Sequence, residues 1–314
     1  MGKVIDVLTV GEPLVLFVAQ QGGALEDVTS FERTVAGAEF NVVTGLARLG
    51  LKTAYISRVG DDAFGRYLSQ AIAAQGIDHS QVLPRAPYST GFMLKARSAD
   101  GSDPAIEYFR RNSAASHLSV KDLDPDFCAS ARHIHLSGVF AGVSENARQV
   151  MLSLAQQARA RGQTLSFDTN LRPRMWSSPK DMIACIQQLA LLADWVMPGI
   201  DEGRLLTGLD TPQAISDWYL SKGVGAVFVK LGASGAYCAS QTFSTHVPGV
   251  AVRQVVDTVG AGDGFAVGVL SALLEGQSLL QATQRGNAIG ARVVQFPGDS
   301  DGLPTRRELD AMGA

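Results

Sequence analysis

A chain of 314 residues, 46% apolar and 18% charged, is long and apolar enough to bury a large core, which excludes a disordered or fibrous protein. The formal charge of −3 is small for this size and excludes electrostatic capture by nucleic acid or an anionic membrane, so small-molecule partners are expected. Cys128, Cys185 and Cys238 are widely spaced, form no CxxC pair and signal neither a zinc site nor a disulfide framework, which fits a reducing cytoplasm.

Met1-Gly2-Lys3 leads into an apolar run over residues 4–10, too short for a membrane span and without a small-residue cleavage site; it reads as a first core strand, not a targeting segment. Further short runs at 53–59, 133–136, 164–167, 195–197 and 226–229 are apolar and rich in β-branched residues, as strands buried on both faces require. Between them, residues 41–49, 64–74, 146–159, 182–192 and 212–220 carry apolar residues at helical spacing. Gly76, Gly162 and Gly223 then read as helix C-caps. Strands alternating with helices of ten or more residues predict βαβ units: an α/β, doubly wound, mostly parallel sheet flanked by helices.

Two places break this rhythm. Residues 14–18 follow the first strand at once, and 91–97 with 106–110 form a strand pair around the turn signal Ala99-Asp100-Gly101-Ser102-Asp103-Pro104. Neither leaves room for a crossover helix. Residues 12–36 and 88–115 are therefore expected to form a small antiparallel β lid, with 1–11, 37–87 and 116–314 as the main domain.

Residues 257–263 read Asp-Thr-Val-Gly-Ala-Gly-Asp ahead of an apolar helical run. Glycines at a helix start leave bare N–H groups at the positive end of the dipole, an anion site formed by Gly260, Ala261 and Gly262. Asp263 falls in the first turn, where the dipole favours an ionised carboxylate able to take a proton from a hydroxyl. Taken alone, the same pattern also reads as a tight turn with an N-terminal helix charge. No Gly-Lys-Ser/Thr follows it, and no GxGxxG follows the first strand, so a dehydrogenase is disfavoured. Ser137 sits in no GxSxG elbow, and the five histidines show no metal spacing.

This heptapeptide resembles the second signature of the ribokinase-like (PfkB) carbohydrate kinases. Gly37-Ala38-Glu39-Phe40-Asn41, Ala47-Arg48-Leu49-Gly50 and Arg58-Val59-Gly60-Asp61-Asp62 resemble the first. Within that family, Gly11-Glu12-Pro13-Leu14-Val15, Tyr108-Phe109-Arg110, Ser113-Ala114, His135-Leu136-Ser137-Gly138, Asp168-Thr169-Asn170-Leu171-Arg172 and Met175-Trp176 are most similar to 2-keto-3-deoxygluconate kinases.

The resemblance implies a ribokinase-like fold and an ATP-dependent sugar or sugar-acid kinase phosphorylating a primary hydroxyl, with a fructokinase- or ribokinase-type kinase as the alternative and a non-catalytic sugar-binding protein as a more distant one. It implies that Gly37 and Asn41 hold substrate hydroxyls, that Tyr108, Arg110 and Arg172 face the substrate, and that Asp299 closes the far side. Forked donors from Arg110 and Arg172 suit a carboxylate; Arg110 also reads as a surface strand residue, Arg172 as a ligand of ATP phosphates and Asn41 as a local cap. Met93 stands where several relatives carry a substrate-touching Tyr, and Ala36 where the family more often has Gly.

For the nucleotide, the resemblance points to Lys230, Gly232, Ser234 and Gly235 beside the phosphates and ribose, to Asn287 by the adenine, and to Asn170, Arg172 and Gly199. The family's Asn-x-x-Glu element appears as Gly199-Ile200-Asp201-Glu202 without its Asn, leaving Glu202 to organise Mg²⁺ through water or to serve as a solvated first-turn charge. ATP and Mg²⁺ are the cofactors implied, with room for a structural monovalent cation, and a homo-oligomer paired through the lid is implied as well.

Overall fold

The computed structural model describes residues 5–97 and 105–313. The residues at 1–4 and the turn signal at 99–104 lie outside that range.

The chain opens with β1 (Ile5–Val10), then β2 (Leu14–Ala19) and β3 (Phe31–Ala36), helix α1 (Ala38–Arg48), β4 (Thr53–Val59), α2 (Ala63–Ala74) and β5 (Asp78–Pro84). After β6 (Phe92–Lys95) and β7 (Ile106–Phe109) come α3 (Pro125–Ala129), β8 (Ala131–Ser137), α4 (Gly138–Ala141), α5 (Glu145–Arg161), β9 (Thr164–Asp168) and α6 (Pro179–Ala190). The remainder runs β10 (Trp195–Val196), α7 (Ile200–Thr207), α8 (Pro212–Leu220), β11 (Ala226–Lys230), β12 (Ala236–Ser240), β13 (Ser244–Val247), α9 (Ala261–Leu274), α10 (Leu279–Val293) and α11 (Arg306–Met312).

Nine strands form one sheet in the order β13-β12-β11-β10-β9-β8-β1-β4-β5. The pairs from β11 to β5 are all parallel, and only β11-β12 and β12-β13 are antiparallel. Along β11, Val227 and Val229 join one core cluster while Ala226 and Phe228 join the other, because successive side chains leave a strand on opposite faces. The first cluster packs α5, α6 and α8 against the sheet; the second packs α1, α9 and α10. Helices on both faces are what near-continuous apolar strands demand, and the doubly wound sheet expected from the sequence is present.

The helices follow their sequence signals. α5 starts where the Ser144 hydroxyl accepts from the Ala147 amide at 3.1 Å and stops at Gly162, whose φ of 70° only glycine adopts freely. Its buried residues, Ala147, Val150, Met151, Leu154, Ala155 and Ala158, keep the three-four spacing of one helical face. α9 is buried on nearly every side, from Asp263 to Ala272, because it lies between the sheet and α10.

A separate four-stranded sheet has the order β3-β2-β6-β7, and all its strands lie within 12–36 and 88–115. Its expected antiparallel character is corrected: β2-β3 and β6-β7 are antiparallel, but the central pair β2-β6 is parallel. β3, unmarked in the sequence reading, alternates too weakly to show, with exposed Glu32 and Arg33 beside buried Val35 and Ala36. The chain leaves β1 for β4 on one side and returns as β8 on the other, so the carboxyl ends of β1 and β8 open a crevice at a switch in strand order, where such sheets bind ligands.

Candidate active site

A cavity of about 920 Å³ opens at that edge, lined on the main-sheet side by Asp168, Asn170 and Lys230, by Glu12 in the link between β1 and β2, and from the small sheet by Leu14, Ala36, Met93 and Tyr108. Gly260, Gly262 and Asp263, at the head of α9, complete its wall.

Gly260 caps α9 with φ of 82°, and a Cβ there would lie 2.3 Å from the backbone oxygen of Asp299, so both conformation and space require glycine. The first-turn amides of α9 have no intrahelical acceptor, a consequence of helix geometry. A Cβ on Gly262 would lie 3.6 Å from Lys230 Nζ, so the glycine keeps open a gap between the start of α9 and an ammonium. That gap has the charge and the donors to hold a phosphoryl oxygen.

Asp263 is 9% exposed, and among the described residues it makes no ion pair. Its Oδ2 accepts from Asn41 Nδ2 at 2.8 Å. The expectation that the helix dipole keeps this carboxylate firmly ionised needs correction. Burial pushes its pKa up to about 7; the Asn41 hydrogen bond and Arg172 pull it down, while Asp168 and Asp299 push it further up. A carboxyl balanced near neutrality is well matched to accept a proton at physiological pH.

Asn41 is therefore neither a cap nor a free amide: Gly37 caps α1, and the Asn41 side chain crosses to α9. Gly37 itself has φ of 136°, and a Cβ would come 2.9 Å from the Glu12 carbonyl. Next to Asn41, burial pushes the Glu39 carboxyl up to about 8, and its Oε1 has no hydrogen-bond partner among the described residues.

Lys230 ends β11 and donates to both carboxylate oxygens of Asp168, at 2.7 and 2.8 Å. Burial pulls its pKa down, but Asp168 and Glu202 outweigh that and leave it raised, so it stays charged. Asn170 holds φ of 33° and donates to Ser137 Oγ at 3.2 Å. Arg172 spends NH1 on the Leu171 carbonyl and lines the cavity.

Arg110 is less available than the sequence implied: its Nε donates to Glu12 Oε2 at 2.7 Å and its NH2 lies 2.6 Å from the same oxygen. Glu12, whose sequence setting shows no role, is thus a buried anchor for Arg110 and Ser113. Tyr108 is exposed on β7, and Met93 forms part of the small sheet's buried face with Leu14, Leu16 and Ala36.

Glu202 accepts from Thr169 Oγ1, Leu171 N and Gly199 N at 2.6, 2.7 and 2.8 Å. These bonds set the turn that carries Asn170 and Arg172, and no group of three His, Cys, Asp or Glu side chains among the described residues is arranged to hold a metal. Gly199, Gly232, Ser234, Gly235 and Asn287 do not line the cavity. Asn287 Nδ2 donates to the carbonyls of Val247 and Pro248 at 3.1 and 3.0 Å, tying α10 to the end of β13.

Sequence reasoning missed Lys95. It is 2% exposed and pairs with Asp257 and Asp299; its only trace in the sequence is a lysine sharing a strand face with Met93.

The 2-dehydro-3-deoxygluconokinase of Bacillus subtilis (strain 168) is 45% identical over 306 residues, spanning 97% of this chain and 94% of that protein. Among solved structures, a PfkB protein from Polaromonas sp. JS666 is 48% identical with a TM-score of 0.91, covering 98% of this chain and 99% of that one. An E. coli protein given provisionally as ribokinase II, solved in complex with ATP and Mg²⁺, is 28% identical with a TM-score of 0.91 over 98% of both chains. The family model for pfkB family carbohydrate kinases matches residues 5–306, and the chain belongs to that family.

Proposed function

We propose that this sugar kinase transfers the γ-phosphoryl group of ATP to a primary hydroxyl of 2-keto-3-deoxygluconate or a close relative, with Asp263 as general base. The observation that carries the reading is the Asp263 carboxyl: in the cavity wall, unpaired with any cation among the described residues, and fixed through one oxygen by Asn41. Asp263 Oδ1 takes the hydroxyl proton as the hydroxyl oxygen bonds to the γ-phosphorus and the bond to the β-phosphate oxygen breaks, releasing ADP, while the first-turn amides of α9 with Lys230 accept charge on the transferring group. The gap at Gly262 beside the Lys230 ammonium fits the phosphates of ATP. Mg²⁺ arriving with ATP would supply further charge neutralisation; among the described residues no three His, Cys, Asp or Glu side chains gather to hold it, so phosphate and water would be its main ligands.

The name of the Bacillus subtilis relative supports a sugar-acid substrate, and Arg172 offers the guanidinium to hold its carboxylate. Residues 12–36 and 88–115 act as the lid, closing over the sugar and excluding water. The lid sheet is also the proposed pairing surface of a homo-oligomer, and a reducing cytoplasm suits the three free cysteines. No helix among the described residues is long and apolar enough to cross a membrane.

A neutral-sugar reading draws on the Arg110–Glu12 pair, which leaves fewer arginine donors for a carboxylate. An ADP-release assay across 2-keto-3-deoxygluconate, its galactonate epimer, fructose and ribose separates the two. Preference for the acids supports the proposal; preference for fructose or ribose replaces it.

A further inference from the structure

Lys95 is the last residue of β6, in the small sheet, yet its Nζ lies in the wall of the anion-binding turn. It donates to Asp299 Oδ1 at 2.9 Å and contacts Asp257 Oδ2 still more closely. The two carboxylates reach Lys95 from separate segments, both of which adjoin Gly260. Asp257 opens the turn, its Oδ1 accepting from the Val259 amide at 3.0 Å. Asp299 comes from the loop after α10, and its carbonyl is the atom that packs against Gly260. One ammonium from the small sheet thus fixes both sides of the turn that presents the α9 amides.

All three side chains are buried, at 2%, 8% and 5% exposure. An apolar side chain at the end of β6 would pack the small sheet without desolvating a charge. What it would not do is reach across to the turn. Burial pulls the Lys95 pKa down, and Asp299 and Asp257 more than reverse this, so the ammonium persists. Asp299 also lines the cavity, which makes its orientation by Lys95 a second route from the small sheet to the bound sugar.

We infer that Lys95 is a positioning residue for phosphoryl transfer: it ties the strand that closes over the sugar to the turn that receives the phosphoryl group, so that sugar and nucleotide strengthen each other's binding. The inference rests on the lid and donor-site reading above. It does not depend on which sugar is the substrate.

The test uses the full chain, whichever sugar of the panel turns over, and the non-hydrolysable ATP analogue AMP-PNP titrated with and without that sugar. By linkage the sugar and the analogue must change each other's affinity by the same factor. The wild-type protein is expected to bind AMP-PNP several-fold more tightly when sugar is present. In Lys95→Met that factor should collapse to about one, with kcat lowered on the order of 10²-fold, the scale of an ångström-level misplacement. AMP-PNP affinity measured with sugar should fall further than affinity measured without it, and Lys95→Arg should restore much of the coupling. If Lys95→Met does not fold, Lys95→Gln/Asp257→Asn, which leaves one carboxylate and two amides in the site, carries the same expectation. Coupling absent in the wild type, or retained in a folded variant without the ammonium, overturns the inference. A fall in kcat with coupling intact overturns it as well, since that is what mere structural damage does. No turnover with any sugar would instead be a failure of the proposed function.

Discussion

Asn41 Nδ2 donates to Asp263 Oδ2 at 2.8 Å, joining the first turns of α1 and α9 across 222 positions of sequence. The bond favours the ionised carboxylate, against burial, which favours the protonated one and wins to the extent of a pKa near 7. The reaction needs the deprotonated form, so kcat/KM should fall about tenfold per pH unit below about 7. Asn41→Leu removes the opposing donor, and its acid limb should move to higher pH. A pH profile of kcat/KM for both proteins reads this; an unmoved limb would show that the contact does not tune the base.

The turn before α9 distinguishes two glycines. Gly260→Ala must relieve a 2.3 Å approach to the Asp299 carbonyl at a φ of 82°, and should lower both thermal stability and kcat. Gly262→Ala meets nothing nearer than Lys230 Nζ at 3.6 Å, so it should fold normally and raise KM for ATP by intruding on the anion gap. Melting curves and steady-state kinetics on the two variants check the contrast.

Glu202 separates a metal role from a structural one. Three donors already fill its carboxylate, so Glu202→Gln should lose about 1–3 kcal/mol through a donor left unmatched, lowering Tm, while the Mg²⁺ concentration for half-maximal rate stays the same. A shift in the Mg²⁺ requirement would restore the water-mediated role that the resemblance implied.

Glu39 should show its burial in stability. Its carboxyl goes from an ordinary 4.5 to about 8 on folding, so between those values the folded state holds a proton that the unfolded state releases. Stability from this group therefore falls as pH rises through that window. Glu39→Gln removes the titration, and its Tm advantage over wild type should grow from pH 5 to pH 8 and level off above. A difference independent of pH would refute the assignment.

What was legible in the sequence was local. The Asp257–Asp263 heptapeptide, the apolar strands and the capped helices each announce themselves within a few residues, and they marked the glycine turn with Asp263 at the head of α9 and the doubly wound sheet. What stayed hidden was pairing between distant segments. Nothing in the neighbourhood of Arg110 reveals that Glu12 occupies two of its donors. Nothing near Asn287 reveals that its amide is spent on the carbonyls of Val247 and Pro248. The parallel β2-β6 pairing was hidden for the same reason, since strand direction depends on how the chain returns and not on strand composition.

The central claim is that the Asp263 carboxylate takes the substrate proton. Asp263→Asn keeps the shape and can still meet Asn41, so its turnover in the ADP-release assay is the most direct measurement. A fall of roughly 10²–10⁴-fold in kcat, with substrate binding retained, is the predicted result. Near-normal turnover in a folded Asp263→Asn protein would contradict it.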